Sequence, residues 1–214
     1  MIPFANFDNA RRILCLGAHS DDIEIGAGGA LLRLLEDHPH LEIIWIVFSG
    51  DSVRKEEAVG SANAFLKNAK KRHIETHEFR DGFFPYSGDE IKSVFESLKQ
   101  RFSPDIVFTH FLRDRHQDHR IISELTWNTF RNHLILEYEI PKYEGDLGHP
   151  NFFLSLEEKH CSRKTSLLMN HFNSQLGKSW FSEETFRSLL RIRGIESNSP
   201  SGYAEAFHCR KFLF

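Results

Sequence analysis

Apolar, β-branched runs recur along the chain at residues 13–18, 42–49 and 105–110, each bounded by polar or turn residues and each followed by a stretch with helical spacing. The helical stretches are 24–36, 53–70, 91–102 and 118–132, with Pro39 and Pro104 standing where helices have ended. Weaker strand patterns cover 73–79 and 134–139, and the aromatic segment 203–214 reads as an additional strand. Residues 141–151 concentrate Pro, Gly and charge and read as an exposed loop, with two further helices after it. This βαβ rhythm predicts an α/β, Rossmann-like fold, a mostly parallel sheet sandwiched between helices. Ligands of such sheets sit beyond the carboxyl ends of the strands, so the polar residues after Ala18, Ser49 and His110 are the ones to read for chemistry.

Composition narrows the classes. A chain of 214 residues without repeat, linker or low-complexity tract is expected to form one domain over 1–214. Twenty-seven basic against 30 acidic residues give a formal charge of -3, which offers no footprint for nucleic acid or an anionic membrane. The longest apolar run, 43–48, is too short to span a bilayer, and no signal-type segment opens the chain. Cys15, Cys161 and Cys209 are scattered and odd in number, which argues against a disulfide framework or a thiolate zinc site and for a cytoplasmic location. The aromatic content permits a self-association face, so a homo-oligomer is compatible with it.

Two segments carry chemistry. After the first strand come His19, Ser20, Asp21, Asp22 and Glu24, followed by Gly26, Gly28 and Gly29. Adjacent carboxylates repel, and burying either without a cation is costly, so a bound metal accounts for the pair. Adjacent side chains diverge; with Asp22 as ligand, Asp21 is left to take a proton from water. After the strand at 105–110 comes a segment in which His116 and His119 lie three apart and share a side of a first helical turn. One imidazole completes the metal site, the other acts as an acid or electrostatic partner, and Asp118 can orient an imidazole. His19, Asp22 and His119 as three N/O ligands describe a catalytic zinc site; Fe2+ or another divalent ion also suits them. Taken singly, each segment is equally well a capped or solvated turn, and it is their joint occurrence after two strands that carries the reading.

AHSDDIEIGAGG and DRHQDHR resemble the signature segments AHPDD and HPDH of the LmbE-like deacetylases, also called the PIG-L family. Arg54 and Glu57 in VRKEEA, and the segments RIRG and YAEAF, match further family patterns. The resemblance implies an LmbE-like fold, zinc on His19, Asp22 and His119, a general base at Asp21 and an auxiliary histidine at His116. It also implies that Arg54 holds substrate oxygens and that Asp81, in RDGFFP, accepts sugar hydroxyls. For Arg54 the plainer reading is an ion pair with Glu56 or Glu57, and for Asp81 a turn beside Gly82. Ser20 and Gln117 replace the usual prolines, and Asp114 stands where some members carry a tyrosine that assists the tetrahedral intermediate. The implied activity is zinc-dependent removal of an N-acetyl group from an N-acetylglucosaminyl-type small molecule.

Three rivals are weighed against it. A dinucleotide-binding oxidoreductase fails because the turn after the first strand is HSDD rather than glycine-rich. A non-catalytic, metal-containing sugar-binding protein has no need of Asp21 and His116. A hydrolase of another sugar-linked amide shares every feature. Tyr138, Lys142, Tyr143, Asp146 and His149 form a polar, aromatic stretch expected at the pocket mouth, with an ordinary exposed loop as its plainer reading.

Overall fold

The computed structural model describes Phe7 and residues 9–212. Its strands are β1 (Arg12–Gly17), β2 (Glu42–Ser49), β3 (Lys71–Phe79), β4 (Ile106–His110), β5 (Leu134–Tyr138), β6 (Phe152–Ser155) and β7 (Ala204–Cys209). Its helices are α1 (Asp22–Asp37), α2 (Ser52–Phe65), α3 (Gly88–Arg101), α4 (Gln117–Thr129), α5 (Glu158–His171) and α6 (Glu183–Glu196). They build the expected α/β architecture around one seven-stranded sheet in the order β3-β2-β1-β4-β5-β7-β6. Strands β1 to β5 run parallel, and β7 lies antiparallel between β5 and β6.

Side chains alternate across the sheet with the strand period of two. Ile13, Cys15, Ile43, Trp45 and Phe108 face α1, α2, α5 and α6 in one core, while Leu14, Leu16, Ile44, Ile46 and Val107 face α3 and α4 in the other. Both faces are therefore covered, which is why the central strands read as continuous apolar runs. Helix α2 stops at Phe65 rather than near residue 70, because Leu66 is buried and its carbonyl accepts from Arg72 Nη1 at 3.1 Å, turning the chain into β3. Of the strand expected at 203–214, Ala204–Cys209 forms β7, residues 210–212 are not strand, and 213 and 214 lie outside the described residues. The short β6 was not anticipated.

The glycines of α1 serve packing. A Cβ on Gly26 would lie 2.1 Å from Tyr138 Cδ2, and one on Gly29 would lie 2.5 Å from Leu156 Cδ1. Tyr138 cannot retreat, because its hydroxyl donates to Leu16 O at 2.7 Å in the core. Gly26→Ala is accordingly expected to cost at least about 2 kcal/mol by overpacking. Gly88→Ala, with open space around its Cβ position, should leave Tm unchanged or slightly raised. Thermal melts of the two variants check this, and equal Tm values would refute it.

Helix α1 is also tied to the far end of the sheet. Lys164 of α5 and Glu205 of β7, each only 3% exposed, form an ion pair at 2.6 Å. Lys164 Nζ donates to Ile25 O at 2.6 Å, while the Glu205 carboxylate accepts from Gly29 N at 2.8 Å and Ala30 N at 2.6 Å. At the borders, β3 carries Lys71, Arg72, His73, Glu75, His77 and Glu78, and β6 has only four residues.

Candidate active site

The sheet's topological switch point lies between β1 and β4, where the chain leaves toward β2 on one side and β5 on the other. Beyond the carboxyl ends of those two strands, the 18–22 and 110–119 segments meet. His19 Nδ1 lies 3.1 Å from His119 Nε2 and 3.4 Å from Asp22 Oδ2, and His119 Nε2 lies 3.5 Å from Asp22 Oδ1. Ligand atoms around a tetrahedral ion with bonds of about 2.0–2.2 Å stand roughly 3.3–3.6 Å apart. The two imidazoles and the Asp22 carboxylate, which turns a different oxygen to each ring, are donors of the kind a divalent cation takes, and all three residues are buried; groups whose ligand atoms lie within 4.8 Å of one another include His19, His116 and His119, and Asp22, His110 and His119.

The hydrogen bonds behind these atoms fix which nitrogens are free. Asp114 Oδ2 faces His119 Nδ1 at 2.9 Å, so a proton sits on Nδ1 and the Nε2 lone pair points at His19 and Asp22. Burial, reinforced by neighbouring His110, pushes the His119 pKa down to about 3. His19 Nε2 contacts Asp118 Oδ2 at 3.2 Å and Asp81 Oδ1 at 3.1 Å. Asp118 is itself held by Gly82 N at 2.6 Å and Phe84 N at 3.1 Å. Burial disfavours a charged His19, but Asp22, Asp118 and Asp81 outweigh it and hold its pKa well above the ordinary value. These carboxylates thus draw positive charge to the point the donors share, as a cation-binding set must.

Asp21 is the N-cap residue of α1 and is 3% exposed. Its Oδ2 has no hydrogen-bond partner and its Oδ1 lies 3.8 Å from Arg54 Nη2. Burial, then the adjacent Asp22, push its pKa up to about 6. His116 caps α4, its Nδ1 accepting from Asp118 N at 3.3 Å, and its ring stands edge-on to His19 with centroids 4.9 Å apart. Burial, then His19, lower its pKa, so the resting ring is neutral with its proton on Nε2.

Arg54 does not pair with Glu56 or Glu57. It donates through Nη1 to Asp81 Oδ2 at 3.1 Å and through Nε to Ser20 Oγ at 3.2 Å, at the rim of the site. Glu57 instead accepts from Ser174 N at 2.8 Å and Ser174 Oγ at 2.6 Å. A cavity of about 310 Å³ opens on His19, Asp21, Asp22, Asp81, His116 and His119, with Lys142, Tyr143 and Trp180 among its outer walls. Through Arg54 and Asp81 it meets a larger groove of about 1130 Å³.

Other residues of the polar stretches lie elsewhere. Tyr138 is in the core, and His149 lines a separate cleft with Arg113 and His208. Glu24 is fully buried, its pKa raised well above the ordinary value by burial, with Ser61 of α2 opposing the shift. Sequence reasoning missed two neighbours of the site. Asp114, noted only as a departure from the tyrosine of some relatives, orients His119. His110, the last residue of β4, stacks on His119 with centroids 4.0 Å apart. Its position at a central strand's carboxyl end was the only signal available.

The sequence pattern of the PIG-L family, described as GlcNAc-PI de-N-acetylase, matches residues 14–130. An Escherichia coli (strain K12) protein described as the uncharacterized deacetylase YaiS is 27% identical over 169 residues, covering 74% of this chain and 89% of that one. Among solved structures, the N,N'-diacetylchitobiose deacetylase of Pyrococcus horikoshii superposes with a TM-score of 0.70 at 22% identity, over 95% of this chain and 85% of that one. GalB, the 4-carboxy-2-hydroxymuconate hydratase of Pseudomonas putida KT2440, superposes with 0.74 at 17% identity, over 95% and 98%. At these identities the superpositions establish the fold, and a hydratase on the same fold shows that the fold alone does not choose a reaction.

Proposed function

The chain belongs to the PIG-L (LmbE-like) family, and from that premise we propose that it is a metal-dependent hydrolase that removes the acetyl group from the nitrogen of an N-acetylglucosaminyl-type compound. His19, Asp22 and His119 are the residues proposed to hold the ion, Zn2+ with Fe2+ as the alternative. When bound, such an ion supplies Lewis acidity toward the acetamide carbonyl and toward water. The observation that carries the reading is the unpartnered Asp21 Oδ2, a buried carboxylate oxygen beside three converging donors. A structural cation site has no use for it.

In the proposed reaction Asp21 takes a proton from water as its oxygen adds to the carbonyl carbon. His116 donates from Nε2–H toward the oxygen that gains charge, and Arg54 and Asp81 hold sugar hydroxyls at the rim. The carbon–nitrogen bond then breaks as nitrogen receives the proton that Asp21 took from water, giving acetate and a free amine. The description of YaiS as an uncharacterized deacetylase supports the reaction, and that of the Pyrococcus horikoshii neighbour as an N,N'-diacetylchitobiose deacetylase supports an N-acetylated sugar as the substrate class.

Acetate release from N-acetylglucosaminides differing at the anomeric group tests the reading. Turnover is expected with at least one of them, lost on chelation and regained on adding back Zn2+ or Fe2+. Indifference to every sugar acetamide, or full turnover after the metal is stripped, would refute it.

A further inference from the structure

We infer that Lys142 couples the loop at the pocket mouth to the imidazole of His119, so that occupation of the metal site and closure of that loop reinforce each other. The inference rests on the proposed metal site but not on the identity of the sugar. The loop runs from Glu139 to Gly148 and is closed at its base. Gly148 N donates to Glu139 Oε1 at 2.9 Å, and the buried Arg193 donates to Glu139 through Nε at 3.0 Å and Nη2 at 2.9 Å. Inside, Lys142 Nζ donates to Asp146 Oδ1 at 2.6 Å and Oδ2 at 2.8 Å, and Arg115 N donates to Asp146 Oδ2 at 2.6 Å. The loop's outer residue Tyr143 lines the cavity.

The ammonium of Lys142 also reaches out of the loop, to Asp114 Oδ2 at 2.9 Å. That same oxygen accepts from His119 Nδ1 at 2.9 Å. Asp146, Lys142, Asp114 and His119 therefore form one continuous run of charge-assisted bonds, with side-chain exposures of 7, 9, 2 and 3%. Asp114 must stay in place to hold the His119 ring with Nδ1 toward its carboxylate and the Nε2 lone pair toward His19 and Asp22. Without Lys142, the buried Asp114 and Asp146 carboxylates face each other with no cation between them. Asp114 then swings away from the ring, which frees His119. By reciprocity, a cation at His119 Nε2 strengthens the grip of Asp114 on Lys142 and with it the closed loop.

Two measurements test this without turnover: Zn2+ affinity by competition with a chromophoric chelator, and amide hydrogen exchange of a peptide covering 141–148 with and without Zn2+. In the unaltered protein, Zn2+ is expected to slow exchange of that peptide several-fold and leave the exposed turn at 67–70 unchanged. Lys142→Met should weaken Zn2+ binding about 10–100-fold and abolish the effect of Zn2+ on the loop; Lys142→Arg should restore most of both. Asp146→Asn, which keeps the bond between Lys142 and Asp114, should loosen the loop while changing Zn2+ affinity much less. Loop exchange indifferent to Zn2+ in a protein that binds it overturns the coupling and leaves the metal site standing, as does unchanged affinity in folded Lys142→Met. A protein that binds neither Zn2+ nor Fe2+ overturns both.

Discussion

Replacing Asp21 with asparagine is expected to lower kcat by about 10²–10⁴-fold while bound metal and Tm stay where they are. The asparagine side chain has the same shape but cannot accept the proton that water gives up. Nothing in the fold depends on the lost charge: Asp21 Oδ2 has no partner, and the Arg54 contact of Oδ1 is long at 3.8 Å. Removing a carboxylate beside Asp22 relieves repulsion, so the protein should melt no earlier. Acetate release, elemental analysis and a thermal melt on one preparation decide the matter. Unreduced turnover with the metal in place would strip Asp21 of its role as base.

The largest expected effect on stability lies at the Lys164–Glu205 pair. Lys164→Met removes the cation and leaves Glu205 buried without its counter-charge, a change that typically costs about 3–5 kcal/mol. Part of the damage reaches α1, because Ile25 O loses the Lys164 ammonium while Gly29 and Ala30 N–H depend on the orphaned carboxylate. These groups sit one to two turns beyond Asp22, so metal binding should weaken along with the fold. At roughly 2–4 °C per kcal/mol for a chain of this size, Tm falls by about 6–20 °C. A shift below 2 °C would show that the pair is redundant.

The parallel half of the fold was legible because covered strands read as apolar runs and the crossovers follow at regular intervals. Strand β2 begins and ends where the pattern placed it, at Glu42 and Ser49. The antiparallel end was not, since β6 has four residues and gains its identity only by pairing with β7. At the site, the segments after β1 and β4 announced donors at strand ends, and the structure brings His19, Asp22 and His119 to one point. What stayed hidden was support by distant residues. Lys142 reaches Asp114 across 28 positions of sequence, Glu57 fastens Ser174 across 117, and no local periodicity encodes either pairing. The glycines of α1 likewise have distant partners, Tyr138 at Gly26 and Leu156 at Gly29, that the local sequence does not name.

The two outermost strands also bear on how copies of this chain can meet. A flat, apolar border would template further strands from a neighbouring molecule. Here one flank is studded with ionised and titratable side chains, with Glu75 engaging His73, His77 and Arg101. The opposite flank is too brief to offer a long ladder. Any dimer of this protein is thereby steered toward contacts between helices, and edge-to-edge growth into fibres is discouraged at both ends.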